Sequence, residues 1–217
     1  ERDESLARSA GVDLIFHPAA RDIYPPDYRS YLSVEGDLTG SLEGACRPGH
    51  FRGVATVVAK LFNIVQPHRA LFGRKDFQQL AVIRQMTRDL NFPVEIIGMP
   101  IIREPDGLAM SSRNVYLSRS ERGQALALNA VLRMAADRVA RGETDAAAIL
   151  AQARERLLQE PDLKIDYVKI CHSDTLAEID AIDAQSVMLL AVKIGKTRLI
   201  DNHILSEEVQ IHDPQNA

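Results

Sequence analysis

The stretch RALFGRKDFQQLAVIRQMTRDLNFPVEIIGMP runs from Arg69 to Pro100, and its reading decides the fold. RALFG is a short apolar run closed by Gly73, which reads as a strand. The segment that follows sets Leu80, Ile83, Thr87 and Leu90 at helical spacing, with Arg84 and Arg88 turned outward. FPVEIIGMP, from Phe92 to Pro100, is the next strand. Strand, helix, strand predicts a parallel pair joined by a right-handed crossover. Open parallel sheets bind ligands beyond the carboxyl ends of their strands. The junction from Gly73 to Gln79 is therefore the first place to look for a site.

On the N-terminal side, GVATVVAKLFNIVQP (Gly53 to Pro67) is apolar nearly all round and predicts a buried helix stopped by Pro67. GVDLIFHP (Gly11 to Pro18) predicts a buried strand after a polar helical stretch. The Tyr- and Pro-rich segment from Arg21 to Gly36 predicts loop with an edge strand near Tyr31 to Val34. LEGACRPGHFRG (Leu42 to Gly53) is punctuated by Gly and Pro and predicts loop. On the C-terminal side the texture changes after residue 102. Gln124 to Arg141 predicts a helix ended by Gly142, and Asp145 to Gln159 a second, capped by Thr144 or Asp145. Lys164 to His172 alternates as a half-buried strand, and Val187 to Leu205 predicts a hairpin around Gly195. The expected fold is α/β, with a Rossmann-like parallel-sheet domain over residues 1–102. A smaller α+β domain with an antiparallel sheet follows over residues 103–217.

Bulk properties narrow the function classes. The 217 residues are 46% apolar and 26% charged, as in ordinary globular proteins. A net charge of −4 with no basic run argues against nucleic acid as a partner. No apolar stretch approaches the ~20 residues a membrane helix needs, and no signal-peptide pattern is present. Cys46 and Cys171 lie in no CxxC, which fits reduced thiols in the cytoplasm. The histidines show no HExxH or paired spacing, so no protein-built metal site is expected.

Two loops carry candidate chemistry. In LFGRKDFQQL, Gly73 permits backbone approach to a ligand or a positive φ. Arg74 and Lys75 add cations at a helix N-terminus already suited to anions. Asp76 is either a helix N-cap or a carboxylate for ribose hydroxyls. Gln78 and Gln79 open the helix; such a glutamine faces solvent or offers its amide to a polar substrate. In GLAMSSRNVYLS, from Gly107 to Ser118, Ser111, Ser112 and Arg113 are either a solvated turn or an anion site. Together the loops suggest a phosphorylated ligand held between the two halves of the chain.

Three segments in this order carry a resemblance: ACRPGHFRGV (Ala45 to Val54), FGRKDFQQL (Phe72 to Leu80) and REPDGLAMSSRN (Arg103 to Asn114), with TRLIDN (Thr197 to Asn202) near the end. In these the chain resembles the pantothenate synthetases, the pantoate–β-alanine ligase family. The resemblance implies a homodimeric nucleotidyltransferase-type ligase using ATP with Mg2+. Pantoate would be activated as pantoyl adenylate, with release of pyrophosphate, and β-alanine would then displace AMP. It implies that Lys75, Ser111, Ser112 and Arg113 grip the phosphates, and that Gly73 and Asp76 hold the ribose. Backbone groups of Ile102 and Met110 would hold the adenine, and Gln79 the pantoate. Arg47 and His50 would lie near the substrate and the dimer contact, with His50 open between a site and a structural role. The chain departs from the family at Arg74, where the usual residue is Glu. It also lacks the family's upstream PTMGxLHxGH and NPxQF segments, which bear the phosphate-binding histidines. The expectation is an incomplete and catalytically crippled chain, with a noncatalytic nucleotide-binding or dimerisation module as the alternative. A further alternative is an adenylyltransferase of the same fold acting on a different acid.

Overall fold

The structure is a computed structural model and describes residues 2–207. Helices α1 (Arg2–Ser9), α2 (Ala20–Ile23), α3 (Asp37–Gly40), α4 (Leu42–Cys46) and α5 (His50–Val65) precede strand β1 (Arg69–Gly73). A 3-10 turn (Arg74–Asp76) leads into α6 (Phe77–Asp89), and β2 (Glu95–Met99) follows. The strands pair in parallel, from Arg69 opposite Glu95 to Gly73 opposite Met99. The parallel pairing across α6 is thus the one the opening stretch predicts. Gly98 lets α6 come close, because a Cβ there would lie 2.9 Å from Leu80 Cδ2. Ala55, Val58 and Phe62 of α5 form a core with Ile83 and Met86 of α6, against Phe72 and Ile96 of the strands.

The C-terminal half begins with a 3-10 turn (Ser112–Tyr116), then α7 (Arg119–Ala140) and α8 (Ala146–Leu158). Strands β3 (Leu163–His172), β4 (Ser186–Ile194) and β5 (Thr197–Ile204) form an antiparallel sheet in the order β3-β4-β5. The β4–β5 hairpin turns at Gly195, whose φ of +55° suits glycine. One face of this sheet packs on α7 and α8 through Leu128, Leu132, Ile149, Met188 and Leu190. The other meets α6, where Phe77 and Ala81 pack with Cys171, Val187 and Leu189. Both faces being covered explains why β4 is buried from Ser186 through Val192.

Several expectations need correction. Gly11–Pro18 is not a buried strand. Among the described residues no strand pairs with it, and Leu14 and Phe16 are 75% and 46% exposed. Tyr31–Val34 forms no edge strand; the Leu32 amide instead donates to the Thr56 hydroxyl of α5 at 3.0 Å. Leu42–Gly53 is not wholly loop, because α4 lies within it and α5 starts at His50, after Gly49 at φ +78°. α7 starts at Arg119, five residues before Gln124, because Ser118 and Glu121 close a capping box. Leu90 lies beyond α6 and is 49% exposed. α5 ends at Gln66 in the left-handed region, before Pro67. α8 is capped by Asp145, whose carboxylate accepts from the Ala147 and Ala148 amides at 2.9 and 3.3 Å.

Candidate active site

The carboxyl end of β1, the start of α5 and the middle of β5 converge on one crevice. Arg47, His50, Lys75, Asp76 and Gln79 line it together with Tyr167, Asp201 and Asn202. Its interior is tight, about 20 Å³. Two of the segments singled out in the sequence thus meet in space. The third reaches a neighbouring open groove of about 870 Å³, where Arg113 and Tyr116 face Arg47, Lys196 and Arg198. Arg47 lines both and joins them.

Gly73 is extended, at φ −68° and ψ 132°, so a positive φ is not what requires glycine here. A Cβ on Gly73 would meet no protein atom within 4 Å. The strand end is therefore bare and open to a ligand. Asp76 precedes α6, yet its carboxylate makes no cap hydrogen bond and is exposed. Of its two readings, the geometry withholds support from the cap. Lys75 is half-buried beside it. Arg74 turns away from the crevice and pairs with Glu207, at 2.7 and 2.9 Å. Gln78 is 3% exposed and knits the loop below: its amide donates to the Leu38 and Ser41 carbonyls and its oxygen accepts from the Glu43 amide, each at 2.9 Å. Gln78 and Gln79 both line the crevice, and Gln79 is half-buried there.

Ser111 and Ser112 open a 3-10 turn, with Ser112 exposed. The Ser111 hydroxyl caps the 3-10 turn by accepting from the Arg113 amide at 3.3 Å. The Arg113 guanidinium is exposed on the groove wall. Asn114 is buried and anchors the loop, donating to Glu104 at 2.6 Å and to the Ala109 carbonyl at 3.1 Å. The loop springs from a narrow hairpin in which the Met110 amide donates to the Ile102 carbonyl at 2.9 Å. That pairing consumes two of the main-chain groups expected at adenine and leaves the Ile102 N–H and the Met110 C=O. Both side chains are exposed, at 63% and 56%.

Sequence reasoning missed the polar network behind the crevice. Glu43 of α4, 7% exposed, accepts from Tyr167 at 2.9 Å and from both terminal nitrogens of Arg198 at 2.8 and 2.7 Å. Arg198 also donates to Asp166 at 2.7 Å. Burial pushes the Glu43 carboxyl upward, but the hydrogen bonds from Arg198 and Tyr167 outweigh it and hold the group below the ordinary carboxylate range. Burial, with the charge of Arg47, holds the His50 imidazole below its ordinary value, against the pull of Glu43 and Asp76. His50 is thus a neutral ring near pH 7. No short-range pattern could have found these partners, since Glu43 and Arg198 are 155 residues apart.

Among the described residues, no group of three or more His, Cys, Asp or Glu side chains could hold a metal ion. No helix among them is long and apolar enough to cross a membrane. The crevice and groove therefore offer cations, small donors, an amide and a bare strand end. This set suits an anionic, polyphosphorylated small molecule with a polar co-substrate.

Comparison with known proteins agrees. A sequence profile described as pantoate-β-alanine ligase matches residues 1–204. The pantothenate synthetase of Syntrophotalea carbinolica is 60% identical over 209 residues, which cover 96% of this chain and 74% of that one. The crystal structure of pantothenate synthetase from Thermus thermophilus superposes with a TM-score of 0.91 at 46% identity, covering 95% of this chain and 74% of that one. The pantoate-β-alanine ligase of Francisella tularensis, crystallised with β-γ ATP and β-alanine, aligns with a TM-score of 0.71 at 29% identity, over 95% of this chain and 70% of that one. A profile match across nearly the whole chain, with a relative 60% identical over most of both chains, settles the question of kinship: the chain belongs to the pantoate–β-alanine ligase family.

Proposed function

We propose that this protein condenses pantoate with β-alanine at the expense of ATP, through an acyl-adenylate. The observation that carries the reading is the meeting of Lys75, Asp76 and Gln79 with the Arg47–Arg113 groove at the end of β1. The F. tularensis relative, crystallised with β-γ ATP and β-alanine, supports it. In the first step a pantoate carboxylate oxygen attacks the α-phosphorus, and the bond to the β-phosphate oxygen breaks to release pyrophosphate. The carboxylate is ionised at neutral pH and needs no base. Lys75, Ser111, Ser112 and Arg113 lower the barrier by neutralising charge on the phosphates. Gly73 and Asp76 receive the ribose, the free main-chain groups of Ile102 and Met110 the adenine, and Gln79 the pantoate. Arg47 and neutral His50 line the acid's side of the crevice. We assign Arg74 to anchoring the loop through Glu207.

In the second step the β-alanine amine attacks the acyl carbon, AMP leaves, and the amine proton passes to solvent. Only the neutral amine is a nucleophile, so the rate rises toward alkaline pH. Magnesium would travel on the triphosphate; no step is assigned to it. The same reading makes the protein a cytoplasmic homodimer, with Cys46 and Cys171 as free thiols.

The test is pantoate-dependent exchange of pyrophosphate into ATP. Exchange that requires pantoate is the expected result. Exchange driven by another carboxylic acid, and not by pantoate, would assign a different acid substrate. ATP binding without exchange under any acid would leave a nucleotide-binding module.

A further inference from the structure

Strand β5 enters the site from the opposite half of the molecule, and two adjacent residues on it reach both candidate phosphate loops. Asn202 is 3% exposed. Its side-chain amide donates both hydrogens, one to the Arg74 carbonyl at 3.0 Å and one to the Lys75 carbonyl at 2.9 Å. Those acceptors also fix the amide's orientation, because a flipped amide would set its oxygen against two carbonyl oxygens. The Lys75 main chain lies in a 3-10 turn that, among the described residues, binds no other segment through these carbonyls. A half-buried ammonium on a flexible stem is aimed by its backbone, and here the backbone is held by Asn202.

Asp201, 2% exposed, faces the other loop. Its carboxylate takes both terminal nitrogens of Arg103, at 2.7 and 3.1 Å, and accepts from the Asn202 amide N–H at 2.8 Å. Arg103 bridges to Ala109 across the hairpin that presents Ser111 to Arg113. One dipeptide thus sets the Lys75 turn and the root of the serine loop at a fixed separation.

We propose that Asn202 is a positioning residue for Lys75, acting on the nucleotide only through the main chain of the Arg74–Lys75 turn. The proposal rests on the reading that Lys75 binds the ATP phosphates. It is tested by a double-mutant cycle on ATP affinity, measured by titration calorimetry on the full chain, so that turnover is not required. Lys75→Ala and Asn202→Ala should each weaken ATP binding about tenfold, and the double variant should bind no worse than Lys75→Ala alone. A merely structural loss would instead multiply, giving about a hundredfold in the double variant, and that result would overturn the proposal. An unchanged affinity in Lys75→Ala would overturn the underlying reading of Lys75, which is a separate and distinguishable failure. Should Asn202→Ala not fold, Asn202→Ser retains one hydroxyl donor. The same cycle is then run with it, expecting a smaller loss that again vanishes beside Lys75→Ala.

Discussion

Lys75 sits half-buried at the end of β1, and its ammonium is committed to no ion pair among the described residues. A cation held near a transferring phosphoryl group acts like one preorganised oxyanion contact. Lys75→Ala should therefore cost about 2–4 kcal/mol in transition-state stabilisation. The check is kcat/KM for pantoate-dependent exchange; an unchanged value would remove Lys75 from the reaction. Asp76 and Gly73 give a sharper contrast between binding and stability. Because the Asp76 carboxylate makes no cap bond, Asp76→Asn should leave thermal stability unchanged while weakening ATP binding. Gly73→Ala should likewise fold normally, since its methyl meets no protein atom, and should weaken ATP binding by filling the open strand end. A stability loss in either variant, with ATP affinity intact, would return both positions to structural roles. The candidate residues were singled out by the resemblance of three segments taken together, since each loop alone also suited a helix cap or a solvated turn. Glu43 and Tyr167 were not legible, and Asp201 and Asn202 stood out only within the TRLIDN segment, with no role attached. Each is defined by a partner more than 90 residues away, as Asp201 is by Arg103 at a separation of 98.

Between elements, the Glu43–Arg198 pair is the strongest polar tie from α4 to β5. The Glu43 side chain is 9% exposed and that of Arg198 22%. Removing one partner of such a pair strands the other, so Glu43→Gln should cost about 3 kcal/mol or somewhat less, because Asp166 still holds Arg198. The folded carboxyl of Glu43 lies below its ordinary value, and so does the imidazole of His50. In each window the unfolded chain holds more protons than the folded one, so stability falls as pH falls. His50 and His203, whose imidazole is likewise held low by burial, act first, below about pH 6.5, and Glu43 only below about pH 4.3. Urea midpoints across pH 3–8 should show both losses, with the lower one reduced in Glu43→Gln but not abolished, because the Glu104, Glu121, Glu143 and Asp183 carboxyls are also held below their ordinary values. A midpoint that stays flat below pH 4.3 in the parent would discount the pair. The elements themselves were readable where one periodicity ran long enough: α5, the β1–α6–β2 unit, α8 and the three-stranded sheet. Gly11–Pro18 was misread because its apolar run matches a buried strand, whereas a strand exists only where a neighbour pairs with it. The α4 turn was hidden by the Gly and Pro around it, and is held by tertiary contacts to Gln78 and Arg198.

At the scale of the whole molecule, the parallel pair and the antiparallel sheet share an apolar seam. Phe77 and Ala81 of α6 meet Cys171, Val187 and Leu189 across it, with Leu38, Leu42 and Tyr167 at the margin. Arg198, Asp201 and Asn202 add polar ties from one strand to α4, to the root of the serine loop and to the Lys75 turn. Halves joined by a weak, polar contact unfold separately; halves sharing buried apolar surface and fully satisfied buried polar groups unfold together. The described residues should therefore melt in one calorimetric transition, with the calorimetric and van't Hoff enthalpies equal. Leu189 is the probe, because it is 5% exposed and lies on the seam rather than in either half's own core. Leu189→Ala should cost about 2–5 kcal/mol, which for a chain of this size lowers the single Tm by on the order of 10 °C. If the variant instead splits the transition in two, the seam carries the cooperativity and each half retains its own core. If the parent already shows two transitions, the seam does not couple them. The site at its edge would then be assembled from parts that melt independently, with Lys75 and its anchor Asn202 on different ones.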